Sequence, residues 1–316
     1  MNHSLLWLLI RGDVPSRFVQ LVALCMLIME DDGPAPSLVE FFAGMKSITK
    51  AFRSRGLLAY SFELRDDPVR EDILSSPGLV YAIRLILLAE PGALIWFGPV
   101  CSTWVWMSRG STGRSFLRVL GHTRFRAVRD GNTMVSRVIL LFRMAAALGH
   151  VCLLEQPLTT MMPMHPRFRD LIATGALWRV KVWLGRFGAA TAKPIYLYSN
   201  VEWISELCGM YTYTDSRSIG PPTYITYLDD AGRACSDGAT GLRGSQEYPP
   251  LFGYAVARLY TQYRAECRHY ATLLRESQGN EPVGEALVGD DTDDWIDACL
   301  GSTIRMLMSL VEQRDS

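Results

Sequence analysis

The sequence predicts an α/β protein built on a doubly wound, mainly parallel sheet. Three observations predict it. Short apolar runs of strand length recur at 38–43, 93–98 and 151–154. Stretches with helical spacing separate them, the alternation that parallel sheets require. The residues able to carry chemistry follow directly on those runs, where open parallel sheets bind ligands. The bulk composition agrees: 49% hydrophobic and 20% charged residues exclude a disordered chain, a collagen-like repeat and a coiled coil.

Taken in order, Leu5 to Ile10 and Phe18 to Met29 are apolar but too short to span a bilayer, which takes about 20 residues. They predict packing helices, with a targeting segment left open, and Gly33-Pro34-Ala35-Pro36 predicts a linker that sets 1–37 apart. The run from Leu38 ends at Gly44, a strand and a turn. Residues 45–55 have helical spacing and stop at Gly56. Leu57 to Leu64 predicts a second strand, 77–89 a helix broken at Pro91-Gly92, and Ala93 to Gly98 a third strand. A long helix over 132–148 ends at Gly149, and Val151 to Leu154 follows as a strand closed by Glu155-Gln156-Pro157. Trp178 to Leu184 and Pro194 to Tyr198 are further strands. Residues 210–245 predict an irregular insertion, 250–275 a helix that completes the domain begun at 38, and 276–316 an acidic linker with a terminal helix over 292–312.

The seven cysteines, at 25, 101, 152, 208, 235, 267 and 299, contain no CxxC pair, which argues against a zinc knuckle or a secreted disulfide framework. They predict reduced thiols in an intracellular protein, nuclear or cytoplasmic. His122 and His165 have no companions at ligand spacing, so no metal site is expected. The formal net charge of zero conceals an uneven distribution. Residues 101–193 hold 14 basic and 3 acidic side chains, a net of +11, while 276–316 hold 10 acidic and 2 basic, a net of −8. Six arginines fall between 109 and 129, a density suited to phosphate.

Four places could carry chemistry. Phe41-Phe42-Ala43-Gly44-Met45-Lys46-Ser47 follows the first strand, where a turn lets a ligand approach backbone amides. Glu63 ends the next strand, where a carboxylate can accept ribose hydroxyls. Cys101 follows the third strand in Gly98-Pro99-Val100-Cys101-Ser102-Thr103-Trp104, either a nucleophile or an inert buried thiol. Glu155 follows the fourth, either an acid toward a substrate ring or a carboxylate that holds a turn. Trp104 and Trp106 could stack on a base or fill the core.

Together these segments resemble the S-adenosylmethionine-dependent C5-cytosine DNA methyltransferases. Val39-Glu40-Phe41-Phe42-Ala43-Gly44 looks like the family's cofactor loop, Glu63 its ribose-binding acid, and Asp72-Ile73 its adenine-contacting pair. Gly98-Pro99-Val100-Cys101 resembles the Gly-Pro-Pro-Cys nucleophile loop, and Glu155-Gln156-Pro157 the Glu-Asn-Val motif. Arg179-Val180-Lys181 is similar to the later basic strand, and Gln246-Glu247-Tyr248-Pro249-Pro250-Leu251-Phe252 to the closing element. The likeness covers roughly 38–265 and implies a Rossmann-like class I methyltransferase fold. It implies Cys101 and Glu155 as catalytic residues. It implies that Phe42, Ala43, Gly44, Met45, Lys46, Glu63, Asp72 and Pro99 hold S-adenosylmethionine. Arg109, Arg114, Arg118, Arg124, Arg126, Arg179 and Lys181 would contact nucleic acid, DNA ahead of RNA.

The departures are Val100 for proline, Ser102 for glutamine, Met45-Lys46 in the glycine-rich turn, and Gln156 before Pro157. Roughly 60 residues separate the basic strand from the closing element, little room for a target-recognition domain, so an unpaired strand stays open as substrate. The alternatives are a catalytically silent domain that binds nucleic acid or protein, and a methyltransferase of another substrate in which Cys101 is structural.

Overall fold

The structure is a computed structural model that describes residues 3–12, 14–28, 33–210, 225–228, 230–232, 234–237 and 247–278. Six strands form one mixed, mostly parallel sheet: β1 (Leu38–Phe41), β2 (Ala59–Phe62), β3 (Leu94–Phe97), β4 (Val151–Pro157), β5 (Trp178–Trp183) and β6 (Pro194–Ser199). Their order is β2-β1-β3-β4-β6-β5. β2, β1, β3 and β4 are parallel, and β6 is antiparallel to both β4 and β5.

The helices are α1 (His3–Arg11), α2 (Ser16–Ile28), α3 (Ser47–Arg53), α4 (Ser76–Leu87), α5 (Arg109–Thr112), α6 (Arg126–Ala147), α7 (Pro166–Ala173), α8 (Glu206–Gly209) and α9 (Pro250–Gln278). They cover both faces, which is why β3 reads as an unbroken apolar run and β1 as one interrupted only by Glu40. Val39, Phe41, Ile95, Phe97, Cys152 and Leu154 face α1, α2, α4, α6 and α7. Their alternates Leu38, Leu94, Trp96, Val151 and Leu153 face α3, α8 and α9. α4 starts where its sequence says: the Ser75 hydroxyl accepts from Gly78 N at 2.9 Å, with Pro77 in the first turn.

The segment before residue 38 is not set apart. Leu5, Leu9, Phe18, Val22 and Cys25 belong to the same core as α4 and α6, and Arg143 Nη1 donates to Gly12 O at 2.6 Å. The region expected to be irregular over 210–245 contains an antiparallel hairpin, β7 (Ile225–Leu228) with β8 (Ala234–Asp237). α7 has no counterpart among the expected elements, and α6 starts six residues before the expected 132. The acidic stretch after Gln278, including the helix expected over 292–312, lies outside the described residues, as does Gln246. Among the described residues, no helix is long and apolar enough to cross a membrane.

α9 lies close on α3. A Cβ on Gly253 would sit 2.6 Å from Ser47 O, so only glycine permits this approach. Ser47 Oγ in turn donates to Tyr248 O at 2.7 Å, which ties the segment before α9 to the first loop.

Candidate active site

β1, β2, β3 and β4 run parallel and end at one edge of the sheet, and antiparallel β6 begins there. The loops after residues 41, 62, 97 and 157 therefore meet along that edge together with Lys193.

On the β3–β4 side stand Cys101 and Glu155. The Cys101 carbonyl accepts from Trp104 N and Val105 N at 2.7 and 3.0 Å, which curls the chain into a turn just after the thiol. Pro99 is buried ahead of it. Gln156 is fully buried and laces the loops: Nε2 donates to Pro99 O at 3.1 Å, and Oε1 accepts from Thr160 Oγ1 at 3.1 Å. Burial pushes the Cys101 thiol up to about 11, the Glu155 charge adds to the rise, and the Lys193 ammonium opposes it. Burial also raises Glu155 above the usual carboxylate range, against Lys193 and a hydrogen bond from Tyr248. Tyr248 Oη donates to Glu155 Oε2 at 3.0 Å, while the buried Glu155 Oε1 has no hydrogen-bond partner. A Cβ on Gly98 would lie 2.8 Å from Tyr248 Oη, so the glycine leaves room for the phenol. Lys193 Nζ lies 5.7 Å from the centre of the Tyr248 ring. A thiol, a carboxyl with one free oxygen, a phenol and an ammonium thus converge.

On the β1–β2 side the backbone turns sharply, with positive φ at Phe42 (60°), Gly44 (50°) and Lys46 (58°). Two of these are not glycine, a local strain of the kind that gathers at functional loops. Space over Gly44 is open: a Cβ there would meet nothing within 4 Å. Ala43 is buried, whereas Met45 is exposed. Glu63 Oε2 accepts from Gly44 N at 2.8 Å, so the carboxylate stands at the mouth of the loop. Asp72 Oδ1 accepts from Leu74 N at 2.9 Å, and Asp72 O fills the space a Cβ on Gly78 would need. Lys46 Nζ is paired with Asp66 Oδ2 at 2.7 Å and does not reach out as a free amine. Under this loop Glu40 is fully buried, its Oε2 accepting from the Thr49 amide and hydroxyl, and burial pushes it up to about 7.

The arginines divide. Arg109, Arg118, Arg124 and Arg126 are exposed, with Arg126 3.4 Å from Asp130. Arg114 is the correction to the expected phosphate contacts. It is 3% exposed, stacked 3.3 Å over Trp104, and donates to Thr103 O, Val119 O and Asn132 Oδ1. It ties the basic loop together from inside. Arg179 and Lys181 are exposed on the edge strand β5 and lie over Tyr196 and Trp183. In register, Lys181 is level with Gln156, and Arg179 is level with Leu154, further from the loop edge. Trp104 is core; Trp106 is exposed. Among the described residues no group of three or more His, Cys, Asp or Glu side chains could hold a metal.

Sequence reasoning missed Lys193 and the partnership of Tyr248 with Glu155. A lysine just before a strand carries no signal of its own, and Tyr248 is 93 residues from its partner. A scan against models of protein families finds no match to this chain, and a search of curated proteins finds none.

Proposed function

We propose that the protein is an S-adenosylmethionine-dependent methyltransferase acting on C5 of a cytosine in nucleic acid, with Cys101 as nucleophile. The observation that carries this reading is the meeting of Cys101 with a raised, half-satisfied Glu155 at the edge where the β1 loop and Glu63 also stand. The sheet supports it too: a parallel set followed by an antiparallel pair at one side suits the class I methyltransferase architecture.

The residues present fit the cofactor. Open space over Gly44 admits a ligand against the backbone, and Glu63 and Asp72 are acceptors for hydroxyl and amine groups. Phe42, Ala43, Met45 and Pro99 complete the cradle, with Lys46 held back by Asp66. When bound, the cofactor supplies an electrophilic methyl group.

Toward the base, Cys101 Sγ bonds to C6, and its proton leaves to solvent. Electrons of the C5–C6 bond move to C5 as Glu155 gives its proton to the ring nitrogen N3. The raised Glu155 keeps that proton available, and Tyr248 fixes one oxygen so that Oε1 faces the substrate. After methyl transfer, a solvent base takes the C5 proton, the C5–C6 double bond re-forms as the Cys101 thiolate leaves, and N3 returns its proton to Glu155, which restores the ring. Lys193 offsets negative charge on sulfur. The raised thiol favours a second reading, a silent binding domain, because substrate must first lower it. Calorimetric titration with S-adenosylmethionine, followed by methyl transfer to a cytosine-containing strand, tests both. Binding and transfer lost in Cys101→Ser support the first; no binding selects the second.

A further inference from the structure

The groove beside the nucleophile loop has a specific chemistry. Past the turn at Cys101 the chain bridges to the loop after β4: Val105 pairs with Thr160, Trp106 N donates to Thr159 O at 2.9 Å, and Met161 N donates to Trp104 O at 2.7 Å. This holds Trp106 outward, with its ring 5.6 Å from that of Phe116 at 48°. Trp106 is 39% and Phe116 67% exposed, large apolar rings left open to solvent. Both rings line a groove whose walls also include Met107, Leu158, Met161 and Met164. Arg109 lays its guanidinium 4.2 Å over the Trp106 ring. The surrounding segment is cationic: Arg118, Arg124, Arg126 and Arg129 are exposed, and Asp130, beside Arg126, is its one acid.

An open apolar groove with an exposed aromatic wall, and a guanidinium over the Trp106 ring, suits a planar ring. A dense cationic rim suits a ring carried on an anionic backbone. An apolar peptide or an acyl chain would use the groove but not the rim. We propose that this groove stacks an unpaired nucleobase flanking the target cytosine, so that the substrate class is a single strand, DNA or RNA. The inference rests on the nucleic-acid reading of the site five residues away. In a duplex the bases are already stacked on one another, and exposing one costs a few kcal/mol. In a single strand every base offers a free face, and stacking on an aromatic side chain is tolerant of sequence.

The test uses cytosine-free strands of about 12 nucleotides, oligo-deoxythymidine and oligo-uridine, with the duplex of the DNA strand beside them. Fluorescence anisotropy at fixed salt compares the full chain with Trp106→Leu, Trp106→Phe and Phe116→Leu. Removing one stacking ring is expected to weaken single-strand binding about tenfold. Trp106→Phe should retain most of the affinity, and the salt slope should stay unchanged because no phosphate contact is lost. Duplex binding should not respond. A response to one strand and not the other assigns DNA or RNA. Unchanged single-strand affinity in both Leu variants, or equal losses on the duplex, overturns the proposal. Because these strands hold no cytosine, the readout is independent of Cys101. Ring-dependent binding without S-adenosylmethionine binding removes the methyltransferase reading and leaves the groove. The converse result removes the groove alone.

Discussion

Glu155→Gln, read through the reactivity of Cys101, probes the electrostatics of the site without any substrate. The ordinary thiol value is 9.0, and Cys101 stands at about 11. Two units are roughly a hundredfold less thiolate at neutral pH. A more basic thiolate is intrinsically more nucleophilic, which recovers part of this, so alkylation at pH 8 should run roughly tenfold slower than at an open cysteine. Desolvation is the larger cause of the rise and Glu155 the next, with Lys193 opposed. Glutamine keeps the shape and removes the charge. The midpoint for labelling should then fall, but stay above 9, because desolvation remains. Lys193→Met should move it upward. Peptide-resolved labelling with iodoacetamide across pH 7 to about 11.5 measures each midpoint. A wild-type midpoint at or below 9, or no response to Glu155→Gln, would refute the placement of the carboxyl beside the thiol.

Arg114→Ala should cost on the order of 3 kcal/mol in urea unfolding, since it removes hydrogen bonds to three part-buried acceptors and empties the face of the buried Trp104. Arg118→Ala, on the exposed side of the same loop, should stay within about 0.5 kcal/mol. Glu40, raised from 4.5 to about 7, contributes stability that is fully present below pH 4.5 and lost as pH rises through 7, on the order of 3 kcal/mol. The melting temperature of the parent relative to Glu40→Gln should therefore fall between pH 5 and 8; parallel profiles would count against a neutral buried carboxyl. Gly253→Ala should cost about 1–3 kcal/mol, because the new methyl meets backbone at Ser47 O, 2.6 Å away. A neutral outcome would mean that α9 can shift off α3.

The strands were legible because both faces of the central sheet are buried. The runs at β1 and β3 needed no alternation to be recognised, and the loops after them followed. The interior of the site was less legible. Arg114 looks like its five neighbours in the basic stretch, and only the approach of Trp104, Thr103 and Asn132 turns it inward. Lys193 counted merely as one charge among fourteen, although the antiparallel entry of β6 carries it to the sheet edge where Cys101 and Glu155 stand. The β7–β8 hairpin lies in a stretch whose periodicity is weak, whereas α7 has helical apolar spacing and a proline at its start, a signal that sequence reasoning passed over in so short a segment.

The central claim is that Cys101 forms a bond to a cytosine ring. Incubation of the full chain with S-adenosylmethionine and a strand carrying 5-fluorocytosine tests it most directly, because fluorine at C5 blocks the proton loss that frees the thiolate. Mass spectrometry should find the strand covalently attached at Cys101 in the parent and absent in Cys101→Ser. Bound cofactor with no adduct in the parent would contradict the account.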